Sequence, residues 1–344
     1  MQQPQISDLL DNPDFYLFGF DNEDAVFVRM DRECYARSIF FDERIVTVDD
    51  DAIRVPFGPL SAAVSEAPLP SPGIGWIFHM AHTGSTLLAR ALDRPGRSLA
   101  IREPATLRAL GVEARSSGIG IQFSERLRTA VALLGRRYSE SESVLVKANV
   151  PVNCIIENVL AAGSGAKALL LHFGLEDYLV AILRGPNHRK WVERIYSELR
   201  LSEVHESEAS GDLPVAQKAA SLWLFQIRAY ANILGVYPSI RSLDANILFD
   251  HPTLCLKAAA EYFDCPMDDA EARKIVSGEL FSTYSKNPNA PFDNSLRQRR
   301  VAETRAGLAD EILSARHWLE SQNAESPLPE RLAGPLCEEN SLLL

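Results

Sequence analysis

The spacing of apolar positions changes character once along the chain, near Gly73. Before it, residues 15–57 carry short aromatic and β-branched runs with local alternation. These are "FYLFGF" (15–20), "AVFVRM" (25–30), "SIFF" (38–41) and "RIVTV" (44–48), set among the turn-forming stretches "DNED", "DERI" and "DDD". Successive side chains of a strand face opposite ways, so this period of two predicts short antiparallel strands. The stretch 58–73, "GPLSAAVSEAPLPSPG", holds Pro59, Pro68, Pro70 and Pro72. So many residues without a backbone N–H predict a linker.

After Gly73 continuous apolar runs alternate with segments of helical period. The strand candidates are "GWIFHM", "SLAIRE", "SVLVKAN", "AKALLLHF" and "PSIRSLDAN". The helix candidates are 85–93, 104–111, 122–138, 151–162, 175–184, 187–200, 214–234 and 252–263. Strands apolar on both faces, each followed by a helix, predict an α/β fold with a central parallel sheet covered on both sides. The expected organisation is a small β-rich N-terminal region with its linker (1–72), an α/β domain (73–322), and a loosely ordered tail (323–344) containing Pro327, Pro329 and Pro335.

Composition narrows the function. A chain of 344 residues with 46% hydrophobic content buries a substantial core. Its formal net charge of −11 argues against a nucleic-acid partner, which wants a basic face, but leaves room for one small cationic pocket. The five cysteines (Cys34, Cys154, Cys255, Cys265, Cys337) are scattered, without a C-x-x-C pair. That argues against a disulfide framework and suits a reducing compartment. The start, "MQQPQISDLLDNPDF", is polar and acidic, and runs such as "AKALLLHFG" are too short to span a bilayer. The expectation is a cytoplasmic protein with no membrane partner. His79, His82, His172, His188, His205 and His251 form no H-x-x-x-H or H-E-x-x-H pattern, so no metal is expected. No G-x-S-x-G nucleophile motif occurs.

The chemistry concentrates in "GIGWIFHMAHTGSTLLARALD" (73–93), where an apolar run ends in a small-residue loop and a helical pattern follows at once. Against G-x-x-x-x-G-K-[ST], with Gly84 as the second glycine, His79 takes the first glycine's place and Ser85 the lysine's. The literal ATPase motif fails. A kinase is also disfavoured, because the loop lysine is absent and no obvious Mg²⁺-holding Asp follows the third or fourth strand of this half. The physics of anion binding survives: Gly84 permits close backbone approach, Ser85 and Thr86 bring hydroxyls, and the amides of 83–87 point outward. Simple helix capping by Ser85 or Thr86 accounts for the same residues.

The segment "HMAHTGSTLL" resembles the 5′-phosphosulfate loop of sulfotransferases, P-K-S-G-T-T-x-L. Ala81, His82, Thr83, Gly84, Ser85, Thr86 and Leu88 stand at its defined positions, with Leu87 at the variable one. His82 replaces the family's lysine, and an imidazole also donates a hydrogen bond. "SVLVKANVP" is similar to the segment I-K-T-H-L-P, with Lys147 on the lysine, Pro151 on the proline and Asn149 on the basic histidine. Asparagine takes no proton at neutral pH. The resemblance therefore makes Glu103, in "LAIREPA", the candidate base, while a Glu-Pro turn capping the next helix is the structural alternative. Arg102 is expected to face the other way.

In the 3′-phosphate segment, R-D-P-R-D-x-x-x-S, alignment of Glu176 and Asp177 puts Phe173 at the arginine and Ala181 at the serine. His172, Arg184, His188 and Arg189 are candidate substitutes, and Lys286 is the candidate of a basic loop that also offers Arg297, Arg299 and Arg300. Trp223 is assigned to the core rather than to adenine stacking.

The resemblance implies a P-loop-type three-layer fold and 3′-phosphoadenosine 5′-phosphosulfate (PAPS) as co-substrate. It implies sulfuryl transfer to a hydroxyl or amine of a small-molecule or carbohydrate-type acceptor. His82, Thr83, Gly84, Ser85, Thr86, Leu87, Lys147 and Lys286 would bind the donor, and Glu103, His82 and Lys147 would act in catalysis. The losses at Asn149, Phe173 and Ala181 keep open a protein of this fold that binds a nucleotide or other anion without transfer.

Overall fold

The computed structural model describes residues 4–344 except 69–72, 166, 205–212, 285–286, 292, 325 and 339. The N-terminal unit runs α1 (Ile6–Asp11), β1 (Phe15–Asp21), β2 (Asp24–Arg29), α2 (Arg32–Arg37), β3 (Ala52–Pro56) and α3 (Phe57–Glu66). The α/β part follows with β4 (Gly75–His79), α4 (Ser85–Ala91), β5 (Ser98–Arg102), α5 (Ala105–Ser116), α6 (Ile121–Leu134), β6 (Ser143–Lys147), α7 (Ile156–Ala162), β7 (Lys167–His172), α8 (Leu175–Leu183) and α9 (Pro186–Glu198). It continues through α10 (Val215–Val236), β8 (Arg241–Asp244), α11 (Ala245–Asp250), α12 (Pro252–Tyr262) and α13 (Asp269–Val276). The last elements are α14 (Glu279–Ser282), β9 (Thr283–Tyr284), β10 (Asn287–Pro291), α15 (Asn294–Gly307) and α16 (Ala309–Asn323).

The main sheet has the order β5-β6-β4-β7-β8, all parallel as expected. Its strands are buried on both faces, and the period of two sorts them into two cores. Trp76, Phe78, Leu99, Ile101, Val144, Val146 and Leu170 join one cluster, and Ile77, Ala100, Leu145, Leu169 and Leu171 join the other. That alternation makes three layers, helices on either side of the sheet. The chain leaves central β4 for β5, returns to β6, then crosses to β7, so a crevice opens at the strands' carboxyl ends beside β4.

The N-terminal unit is built around a three-stranded antiparallel sheet, β1-β2-β3. Two expected strands are absent from it. Residues 38–41 follow α2, which is capped by the Asp31 side chain on the Cys34 amide, and they plug the end of β5 instead. Phe41 is fully buried. Its N–H donates to Arg102 O at 2.8 Å, and its carbonyl accepts from Ala105 N–H at 2.9 Å. Residues 44–48 are also outside any strand, and the third strand is "AIRVP" instead. The expected linker begins later than predicted, because 57–66 form α3, with Pro59 in the first turn where a missing N–H costs no helical bond. The described tail is tied down: Ser242 N–H donates to Gly334 O at 2.9 Å and Leu175 N–H to Leu343 O at 2.9 Å, and Leu343 is buried. No helix among the described residues is long and apolar enough to cross a membrane.

Candidate functional site

The loop after β4 is held in its own conformation. His82 (φ 67°) and Gly84 (φ 75°) both adopt left-handed backbone, and Thr83 Oγ1 donates to Met80 O at 2.9 Å. A Cβ on Gly84 would lie 3.0 Å from Phe249 Cζ and 3.2 Å from Leu248 Cδ2, so only glycine suits both the angle and the space. Thr83, Ser85 and Thr86 are buried, and Thr86 Oγ1 has no hydrogen-bond partner among the described residues. An orphaned hydroxyl under a small-residue loop fits an anion that supplies the missing bond. Leu87 turns its side chain into the interior, which leaves its backbone N–H as its contribution.

β5 and β6 bring Glu103 and Lys147 together. Arg102 pairs with Lys147 in register, Glu103 N–H donates to Lys147 O at 2.7 Å, and the Lys147 ammonium closes on the Glu103 carboxylate. Glu103 is one of the few non-glycine residues with left-handed backbone (φ 57°), the kind of strain that collects at working sites. His79 Nε2 lies 3.8 Å from the same carboxylate oxygen. Asn149 Nδ2 donates to Glu103 O at 3.4 Å, and its Oδ1 is a buried acceptor without a partner among the described residues. Lys147 is therefore fully buried behind Glu103 rather than reaching solvent. Arg102 does face the other way. It is buried against Asp93 and the carbonyls of Tyr35 and Ser38.

Glu103, His79 and His82 border a cleft of about 1070 Å³. One wall comes from the N-terminal unit (Phe18, Phe20, Val26, Phe40, Arg44) and the other from α9 (His188, Trp191, Ile195). Nothing local in the sequence marks these walls, because they come from segments more than a hundred residues apart.

The segment aligned with 3′-phosphate binding is built differently. Phe173 is core, its carbonyl accepting from Trp223 Nε1 at 2.9 Å, and Trp223 is itself fully buried. Glu176 and Asp177 hold Arg305 at 2.9 and 2.6 Å. Arg189 pairs with Glu311 at 2.7 Å. Arg297 lies 4.2 Å over the Phe249 ring and 3.3 Å from Asn246 Oδ1, near the loop. Arg299 and Arg300 are exposed on α15. Lys286 lies outside the described residues. His172 is buried beside Asp244, and burial lowers its pKa. Arg184 does not join this segment. It reaches His82.

No protein-family model and no curated protein matches the chain. Solved structures do. The sulfotransferase domain from the curacin biosynthetic pathway is 13% identical, with a TM-score of 0.40 over 72% of this chain and 98% of that one. The sulfotransferase STF9 from Mycobacterium avium is 14% identical, with a TM-score of 0.38 over 70% and 78%. Retinol dehydratase in complex with androsterone and inactive cofactor PAP is 12% identical, with a TM-score of 0.40 over 81% and 88%. The chain thus has solved sulfotransferases among the structures it is similar to.

Proposed function

We propose that the chain transfers a sulfuryl group from PAPS to a hydroxyl or amine of a small-molecule or carbohydrate-type acceptor bound in the cleft. One observation carries this reading: a carboxylate able to take a proton, Glu103, borders the same cleft as His82 of an anion-type loop. The two ends of the donor are matched unequally. The loop amides with Ser85 and the orphaned Thr86 hydroxyl suit the phosphosulfate. In the segment aligned with the other end stand two carboxylates, Glu176 and Asp177, held by Arg305, and their charge disfavours a 3′-phosphate there.

In this mechanism Glu103 accepts the acceptor's proton as the new bond to sulfur forms. The bond between sulfur and the bridging oxygen breaks, and that oxygen leaves with its electron pair on the 5′-phosphate. His82 donates to that oxygen. Lys147 holds Glu103 in place and balances its charge until the proton arrives. Catalysis comes mainly from in-line positioning and from charge stabilisation already in place.

The acids at 176 and 177 favour a second reading, binding of an anion without transfer. Thermal-shift titration with adenosine 3′,5′-bisphosphate and with adenosine 5′-phosphate tests the donor. A shift with the bisphosphate alone supports PAPS. An equal shift with both supports the second reading, and no shift with either overturns both as nucleotide readings.

A further inference from the structure

The loop contains no lysine, yet a permanent cation reaches it from elsewhere. Arg184, at the C-terminal end of α8, places Nη2 3.5 Å from Nδ1 of His82. Its Nε donates to Nε2 of His188, in the first turn of α9, at 3.0 Å. The two imidazole rings lie 4.7 Å apart between centroids, inclined at 39°. Three separate elements converge on this cluster, and both histidines line the cleft that contains Glu103.

The chemistry of the three groups sets their roles. A guanidinium has five N–H donors and no acceptor, so the ring nitrogens facing it must accept. That puts the His188 proton on Nδ1 and the His82 proton on Nε2. An imidazole alone is charged only below about pH 6.5, whereas a guanidinium stays charged throughout the physiological range.

We propose that Arg184 is the cation of the loop: it sets His82 as an Nε2–H donor and supplies the positive charge that the loop's own side chains lack. The assignment rests on the loop being the anion site proposed above, for which the unpartnered Thr86 hydroxyl, 2% exposed as a residue, is separate support. The ligand class is two adjacent anionic groups joined by one oxygen, as in a phosphosulfate or a diphosphate. The loop amides take one group, and His82 with Arg184 takes the other.

Isothermal titration of the full chain with inorganic pyrophosphate tests this without knowledge of the acceptor. Arg184→Gln should weaken binding by about tenfold or more, the size of one lost charge-assisted bond. Arg184→Lys, which keeps the charge, should restore most of it. Arg194→Gln removes the same charge from an exposed residue on the cleft's α9 wall and should leave affinity within about twofold. Arg184→Gln binding as tightly as the parent protein would overturn the assignment, as would an equal loss in Arg194→Gln. Absence of pyrophosphate binding by the parent protein would instead remove the anion loop itself, and this assignment with it.

Discussion

The Glu103 carboxylate is closed onto the Lys147 ammonium, and the two side chains come from the ends of adjacent parallel strands. Lys147 is wholly buried, whereas the Glu103 side chain is 20% exposed at the cleft. The carboxylate is thus the member of the pair that an acceptor can meet, and the lysine stands behind it.

That geometry makes Lys147 costly to remove. Lys147→Met should destabilise the fold by about 3 kcal/mol, because it strips a half-buried carboxylate of its ion-pair partner. Adding Glu103→Gln should recover part of the loss, since the amide carries no charge to strand. Urea unfolding of the two single variants and the double variant measures the coupling. Strict additivity would show that the pair does not interact.

Gly84→Ala should cost about 1–2 kcal/mol from the left-handed backbone and the contact with Phe249. Pyrophosphate affinity should fall with it. Phe249→Ala removes the ring contact but keeps the angle and the contact with Leu248, so Gly84→Ala should cost less in a Phe249→Ala background than in the parent protein while still costing something. No cost in that background, read from thermal melts, would show that the angle costs nothing.

His172 links stability to pH. Burial lowers its pKa, so the folded protein holds the ring neutral while the unfolded chain protonates it near its ordinary value. A depressed pKa contributes stability that is complete above about pH 6.5 and is lost as the pH falls. Neither ring nitrogen makes a hydrogen bond of ordinary geometry among the described residues, and a leucine of similar bulk fills the same space without a titratable group. Thermal melts from pH 7 to pH 5 should show a shallower decline in His172→Leu than in the parent protein. Parallel declines would mean that His172 protonates freely in the folded state.

The N-terminal unit, which forms one wall of the cleft, is fastened by Arg136. Its guanidinium donates to the carbonyls of Leu9, Asn12 and Phe15 at 2.6, 2.9 and 2.6 Å, and burial lowers its pKa to about 10. Arg136→Met should cost about 2–3 kcal/mol, because the buried carbonyls it serves lose their donor. Limited proteolysis should then cut within residues 4–30 before the α/β part. Unchanged cleavage would show that the apolar contacts suffice.

Much of this architecture was legible because the sheet is covered on both faces. Runs such as "SVLV" and "ALLL" have no polar alternation and fit only a doubly buried strand. Glu103 and Lys147 stood out for the same reason, as charges at the carboxyl ends of such runs. Phe40 and Phe41 were misread because an aromatic pair suits a strand and a plug alike, and burial against Arg102 decides between them. Pro59 disguised α3, since proline in a first turn looks like a loop residue until the helix is seen. The approach of Arg184 to His82 had no local signal at all. The two are 102 positions apart, and only the fold brings the end of α8 to the loop after β4.

The central claim is that Glu103 takes the acceptor's proton. It is tested most directly by turnover of PAPS labelled in its sulfuryl group, measured with a panel of hydroxyl and amine acceptors in the parent protein and in Glu103→Gln. The account predicts transfer by the parent protein and a loss of about a hundredfold or more in kcat in the variant, with affinity for adenosine 3′,5′-bisphosphate retained. Equal turnover in the two proteins would contradict it.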